Sequence, residues 1–304
     1  MRSPSLKGLA ALALVSALGL AGCGKSSGKD ETKPAAPAYT PQQAAAIRAA
    51  ADKGDAAAQL KVGRMYATGD GAPQDTAEAV TWCRKAADQG LAEAQFTLGD
   101  LLETGIGVEG STDLAAKEFE KAAAQGHVEA MKRLGKILEN RHDFAGAGAY
   151  YEKAAEKDDP HAQYHLGDMY DLGFTLEASD LVAVGLGEKR TEFLPNKSRA
   201  AYWYRKAAEQ GWCDKTDSLS RYYLSGEGVK KDPIEGYKWA LVAASAPPPD
   251  YASDKLVQMQ KGVVETLVMD AKNVLTAAQE AEGERLAREQ IARVKCVVTT
   301  AGYL

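Results

Sequence analysis

Ala201–Gly211 reads AYWYRKAAEQG, and the same run recurs along the chain. Thr81–Gly90 reads TWCRKAADQG, Glu118–Gly126 reads EFEKAAAQG and Tyr150–Asp158 reads YYEKAAEKD. The closing glycines Gly54, Gly90 and Gly126 stand 36 residues apart. A fixed period of this size marks a solenoid, in which each unit buries its apolar face only against its neighbours.

A second element lies upstream of each run. Ala58–Tyr66 reads AQLKVGRMY, Ala94–Leu102 AQFTLGDLL, Ala130–Leu138 AMKRLGKIL and Ala162–Tyr170 AQYHLGDMY. A fifth, degenerate copy has Leu219, Ser220 and Tyr223 in the places of Val62, Gly63 and Tyr66. Turns such as Gly69-Asp-Gly71, Gly105-Ile-Gly107 and Gly226-Glu-Gly228 follow, so the order is helix, Gly turn, helix. Over Gly54–Pro247 this pattern resembles the Sel-one-like repeat family, relatives of tetratricopeptide repeats with a slightly longer period. The resemblance implies an all-α, right-handed α/α solenoid of five helix pairs. One helix precedes the pairs, and C-terminal helices cap them.

The repeat spacings are 36, 36, 32, 53 and 36 residues, so repeat three is short and repeat four carries 17 extra. Second helices start at Asp75, Ser111, Asp143, Asn196 and Asp232, all good N-caps. Gly63, Gly99, Gly135 and Gly167 fall mid-helix, where glycine costs about 1 kcal/mol against alanine. Close helix approach explains them, opposite a row of small residues at Ala79, Ala115, Ala147, Ala200 and Gly236. Tyr66, Trp82, Tyr150, Tyr170, Trp203 and Trp239 read as core aromatics, and Cys83, in the place of a core Tyr, as a buried thiol. The insertion between Tyr170 and Asn196 is too apolar to stay solvated cheaply. It is expected to fold back partly on repeats three and four, with Glu188-Lys189-Arg190 exposed.

The ends read differently. Residues 1–22 have a basic start and a short apolar run, as in a secretory signal. Leu20-Ala21-Gly22-Cys23 resembles the bacterial lipobox, which implies cleavage before Cys23 and lipid on its sulfur. Residues 23–39 are a flexible tether with a reach of roughly 20–25 Å. The solenoid takes 40–249 and capping helices take 250–304. Thr40, Pro41 and Gln43 start the first helix with a capping box, and Thr276 with Gln279 forms another.

Charge narrows the partners. Of 37 basic residues, Arg2 and Lys7 leave with the leader, so 42 acids face 35 bases, near −7. Nucleic acid and anionic membrane surfaces reward a basic face and are not expected partners. Motifs for catalysis fail on context. Gly105–Gly110 fits G-x-G-x-x-G but follows a helix, and Ser26–Lys29 fits S-x-x-K but lies in the tether. His161 and His165 are one turn apart, a spacing that can serve a metal, but the catalytic Glu of H-E-x-x-H is missing. The plainer reading is a solvated helix start, with His161 at the rim. Whether Cys213 and Cys296 pair is left open.

No cofactor is expected. The first helices are expected to line a concave groove with residues pointing away from Val62. These are Leu60, Phe96, Lys132, Tyr164 and Asp217 in one row, and Arg64, Asp100, Lys136, Asp168 and Arg221 in the next. The second row alternates in sign, as a charge ladder would. Apolar groups beside charges suit recognition of a protein or peptide. The expected function is a non-catalytic scaffold, lipid-anchored by Cys23 at the periplasmic face of the outer membrane. A peptidoglycan-binding or -processing protein and a structural spacer are the alternatives.

Overall fold

A computed structural model of the chain describes residues 39–173, 194–247, 253–294 and 296. The signal, Cys23, nearly all of the tether and the body of the insertion, with Glu188-Lys189-Arg190, lie outside the described residues. Among the described residues every regular element is a helix. They are α1 Pro41–Asp52, α2 Ala56–Thr68, α3 Thr76–Asp88, α4 Ala92–Thr104, α5 Thr112–Ala124, α6 Val128–Asn140 and α7 Phe144–Ala155. Then come α8 Pro160–Leu172, α9 Lys197–Glu209, α10 Thr216–Ser225, α11 Pro233–Ser245, α12 Asp254–Lys272 and α13 Ala277–Arg293. The expected all-α repeat fold is present: α2 to α11 make five pairs, α1 precedes them and α12 and α13 follow. The chain divides into two compact units, one up to Glu118 and one from Phe119.

The caps fall where the sequence puts them. Thr40–Gln43 and Thr276–Gln279 form capping boxes. Asp75, Asp143, Asn196 and Asp232 each accept from the first turn of their helix, and Ser111 accepts from Leu114. A second bond closes each helix pair. The N–H of Asp75, Ser111, Asn196 and Asp232 donates to the carbonyl of Tyr66, Leu102, Tyr170 and Tyr223 respectively. Repeat four keeps this closure across its long insertion, so the extra chain leaves and rejoins at fixed ends. Repeat three makes its short turn without glycine, with His142 at φ 60°. The turn glycines of other repeats also serve packing. A Cβ on Gly228, itself at φ 74°, would lie 2.5 Å from the Lys197 carbonyl carbon at the start of α9.

In the first unit α2 packs on α1 and α3, and α3 on α4. A Cβ on Gly63 would fall 2.6 Å from the Cys83 sulfur, so close approach does explain this mid-helix glycine. Cys83 is a buried free thiol, as expected, and burial pushes its pKa to about 11, with Arg64 opposing the shift. In the second unit α6 to α11 pack in succession, and α11 carries both α12 and α13. Here Gly135 faces the Tyr151 ring and Gly167 the Tyr204 ring.

The aromatic core needs a correction. Tyr170 and Trp239 are buried. Tyr66, Trp82, Tyr150 and Trp203 are only half-buried, though Tyr66 and Trp82 still pack against the buried Ala51, Ala58 and Val62. The residues after Trp82, Tyr150 and Trp203, namely Cys83, Tyr151 and Tyr204, point inward instead. One step along a helix turns a side chain by about 100°, so only one member of each pair can face the neighbouring helix. The outer rings are covered by lysines: Lys85 lies 4.0 Å from the Trp82 ring centre and Lys153 4.9 Å from that of Tyr150.

A row of buried glutamines joins successive helices. The side-chain amides of Gln59, Gln95 and Gln163 donate to the carbonyls of Ala51, Ala87 and Ala155 at the ends of α1, α3 and α7. Each carbonyl already accepts from the backbone N–H of Gly54, Gly90 or Asp158, so the amides take a second lone pair and thereby satisfy their own buried donors. On α13, Gln290 makes the same bond to Ala208 of α9. Gly283 of α13 meets Tyr237 of α11 as the first-helix glycines meet their partners. The capping helix therefore imitates a first helix. The Cys213–Cys296 disulfide, left open by the sequence, joins the chain after α13 to the start of the fifth repeat.

Candidate functional site

The first helices carry the candidate binding face, and one of its residues moves. Leu60 is 5% exposed and belongs to the interior. Helices flank α2 on both sides, so its buried arc wraps past half the circumference and takes in position 60. The exposed side of α2 is Ala57, Lys61, Arg64 and Thr68, turned away from the expected direction. Phe96, Tyr164 and Asp217 are half-buried, and only 12% of the Lys132 side chain is exposed. Two members of this row are themselves charged: Lys132 pairs with Glu129 and Asp159, and Asp217 lies 3.5 Å from Arg221 of the next row.

The charged row is accessible. In the first unit, Arg64 and Asp100 are partly exposed, and Arg64 forms a short ion pair with Glu93 of the following repeat. In the second unit, Lys136 and Arg221 have 43% and 55% of their side chains exposed. The alternating signs do not link Asp168 to these two neighbours. Arg221 reaches Asp217 of its own helix at 3.5 Å, Lys136 approaches Glu139 at 3.8 Å, and Asp168 takes Lys215 at 2.9 Å. Lys136 and Arg221 pair within their own helices, while Arg64 and Asp168 reach the next first helix at Glu93 and Lys215, outside the row.

Beneath the row, the second unit holds two polar clusters. In one, the Tyr204 hydroxyl crosses from α9 to donate to Asp168 at 2.5 Å, with Asp171 at 3.4 Å. Asp171 also receives close hydrogen bonds from Lys197 and Tyr222. Burial opposes its charge, but the bonds from Lys197 and Tyr222 outweigh burial and hold the carboxyl below its usual pKa. In the other, His161 and His165 bring their Nε2 atoms to 3.2 Å. His165 stacks on Tyr151 with centres 5.3 Å apart and meets the edge of Tyr164 at 5.2 Å. His161 meets Trp212 edge-on at 5.3 Å and is 8% exposed, not solvated at the rim. Burial first, then Lys132 for His161 and the neighbouring imidazole for His165, lowers both pKa values to about 4.

The sequence reading missed the Tyr204–Asp168–Asp171 network and the glutamine row. Asp168 and Tyr204 belong to the two helices of one pair, set 36 positions apart by the insertion between them, so no local spacing in the sequence announces the contact. A shallow cavity of about 540 Å³ lies elsewhere in the second unit, lined by Arg205, Tyr223, Lys230, Lys231 and Gln279 among others.

Helix pairs joined by glycine-lined contacts and closed by repeated caps define an α-helical repeat protein. A Sel1 repeat model matches residues 56–91, 92–127, 128–159, 160–189, 185–212 and 218–247, and the chain belongs to the Sel1 repeat family. The fourth and fifth matches together cover one helix pair, α8 and α9, on either side of the insertion. In structure the chain is similar to a Sel1 repeat protein from Oxalobacter formigenes. The two are 24% identical over 82% of this chain and 94% of that one, with a TM-score of 0.58. It is also similar to c5321, a protective antigen of uropathogenic Escherichia coli strains displaying an SLR fold. Identity is 23% over 83% of this chain, with a TM-score of 0.44, and the match spans 56% of that longer protein. An immunity protein of Pseudomonas aeruginosa, Pa5087, is 19% identical over 72% of this chain and 84% of its own, with a TM-score of 0.35. No curated protein matches the chain. Sel1 repeat proteins are typically non-enzymatic scaffolds that mediate protein–protein interaction.

Proposed function

We propose that this chain is a non-catalytic scaffold, anchored through lipid on Cys23 at the periplasmic face of a bacterial outer membrane. It binds another protein or a peptide on the exposed side of its first helices. The observation that carries this reading is the second unit's face, where the first helices present accessible Lys136 and Arg221 and a half-buried Tyr164 ring. Accessible charges with an aromatic ring on the same helices suit a polypeptide partner, with the ring giving affinity and the charges fixing register.

Two further observations support the address. The Cys213–Cys296 disulfide suits an oxidising compartment such as the periplasm. Among the described residues no helix is long and apolar enough to cross a membrane, and the reading attaches the protein by lipid. Lys136→Glu combined with Arg221→Glu tests the binding face. The double variant should lose its partner in pull-downs from solubilised envelopes while its melting temperature stays near that of the parent. Retained binding would move the site elsewhere. Cys23→Ala tests the anchor: labelling by an alkyne fatty acid should vanish, and equal labelling of variant and parent rejects it.

A further inference from the structure

The histidine pair has a geometry that the binding face does not require. His161 and His165 stand one turn apart on α8 with Nε2 atoms 3.2 Å apart. We propose that these two nitrogens chelate one divalent transition-metal ion of the zinc class. Zn–N bonds are about 2.0–2.1 Å, so two nitrogens at this separation subtend roughly 100° at the metal, close to a tetrahedral angle. The ring positions are already fixed. Tyr151 and Tyr164 hold His165, and Trp212 meets the edge of His161. Little side-chain entropy is then left to lose on binding.

The charges around the pair pull both ways on a dication. Lys132 and Lys136 oppose it, and Lys132 is held by Glu129 at 2.8 Å and Asp159 at 3.2 Å. Glu139 lies near Lys136, and Asp168 is paired with Lys215. Glu139 and Asp168 thus favour positive charge at His165, while at His161 the pull of Asp159 is opposed by Lys132 and Lys136. Among the described residues no third His, Cys, Asp or Glu joins the pair as a ligand, so water or a group from a partner completes the coordination. Binding breaks the hydrogen bond between the rings. The proton on the donor Nε2 moves to Nδ1 of the same ring, both imidazoles remain neutral, and no oxidation or reduction is involved. This inference does not depend on the protein-binding proposal.

The test is titration of the full-length, chelator-stripped protein with zinc chloride, followed by calorimetry and by nitrogen NMR of labelled histidines. One equivalent should bind, with the Nε2 resonances of His161 and His165 shifting together. The other two histidines, His127 and His142, should stay still. His161→Gln and His165→Gln should each abolish the heat, with helical circular dichroism confirming that the variants fold. No heat and no paired shift at millimolar zinc overturns the site, as does binding that survives in either folded variant. Should a variant not fold, the resonances of the parent decide: shifts confined to His127 or His142 reject the proposal.

Discussion

Gly63 against Cys83 and Gly167 against Tyr204 are the same joint built twice, with different contents. In both, a first helix gives up a side chain so that a second helix can approach, and a Cβ would fall 2.6 Å from the Cys83 sulfur or 2.5 Å from the Tyr204 ring. The joint at Gly63 ends in a small buried thiol. The joint at Gly167 continues: the Tyr204 hydroxyl passes through the interface to Asp168 and Asp171, themselves held by Lys215 and Lys197. The repeat fixes the backbone and leaves one position free to choose between packing alone and packing joined to the charged face.

Substitutions at the two joints sharpen this contrast. The largest effect is expected for Tyr204→Ala, which empties a buried ring site and removes a donor from two carboxylates. It should cost about 3–5 kcal/mol in denaturant unfolding. Tyr204→Phe keeps the ring and removes only the hydroxyl. The carboxylates retain their lysines, so a loss of about 1–2 kcal/mol is expected. A value near zero would mean that the hydroxyl contributes packing alone.

Cys83→Ala is the smallest change, about 1 kcal/mol, because a small apolar side chain is lost and no hydrogen bond is broken. Its titration gives a sharper test. The folded pKa of about 11 exceeds the ordinary 9.0, so the folded state holds a proton that the unfolded state releases. The associated stability is complete below pH 9 and is lost as pH rises towards 11. In a chain lacking Cys23, thiol reagents should leave the folded protein unlabelled at pH 8 and label it readily in denaturant. Cys83→Ala should flatten the first part of the alkaline loss of stability, and an unchanged slope would contradict the burial argument.

The sequence carried the fold further than the site. A period of 36, glycines at helix ends and Asp, Ser or Asn at second-helix starts are local signals, and local signals survive in a single chain. Burial direction is less local. In Tyr150-Tyr151 and Trp203-Tyr204 both residues suit a core, and only the neighbouring helix decides which one enters. Leu60 looked like a groove residue because its helix was read against one neighbour when it has two. Nothing in the sequence singles out Gln59, Gln95 and Gln163, since their buried carbonyl partners appear only when successive helices are placed together. His161 and His165 were noticed for their spacing, but their burial comes from Trp212 and Tyr151, distant in sequence.

The central claim is that recognition lies on the exposed side of the first helices. The most direct measurement places a photo-crosslinking amino acid in turn at Lys136 and Arg221, and at Tyr202 and Arg205 on the exposed face of the second helix α9, in otherwise intact cells. Mass spectrometry of the adducts should find one protein joined at the first-helix positions and absent from Tyr202 and Arg205. Adducts to the same protein at Tyr202 or Arg205, with none at Lys136 or Arg221, would contradict the account.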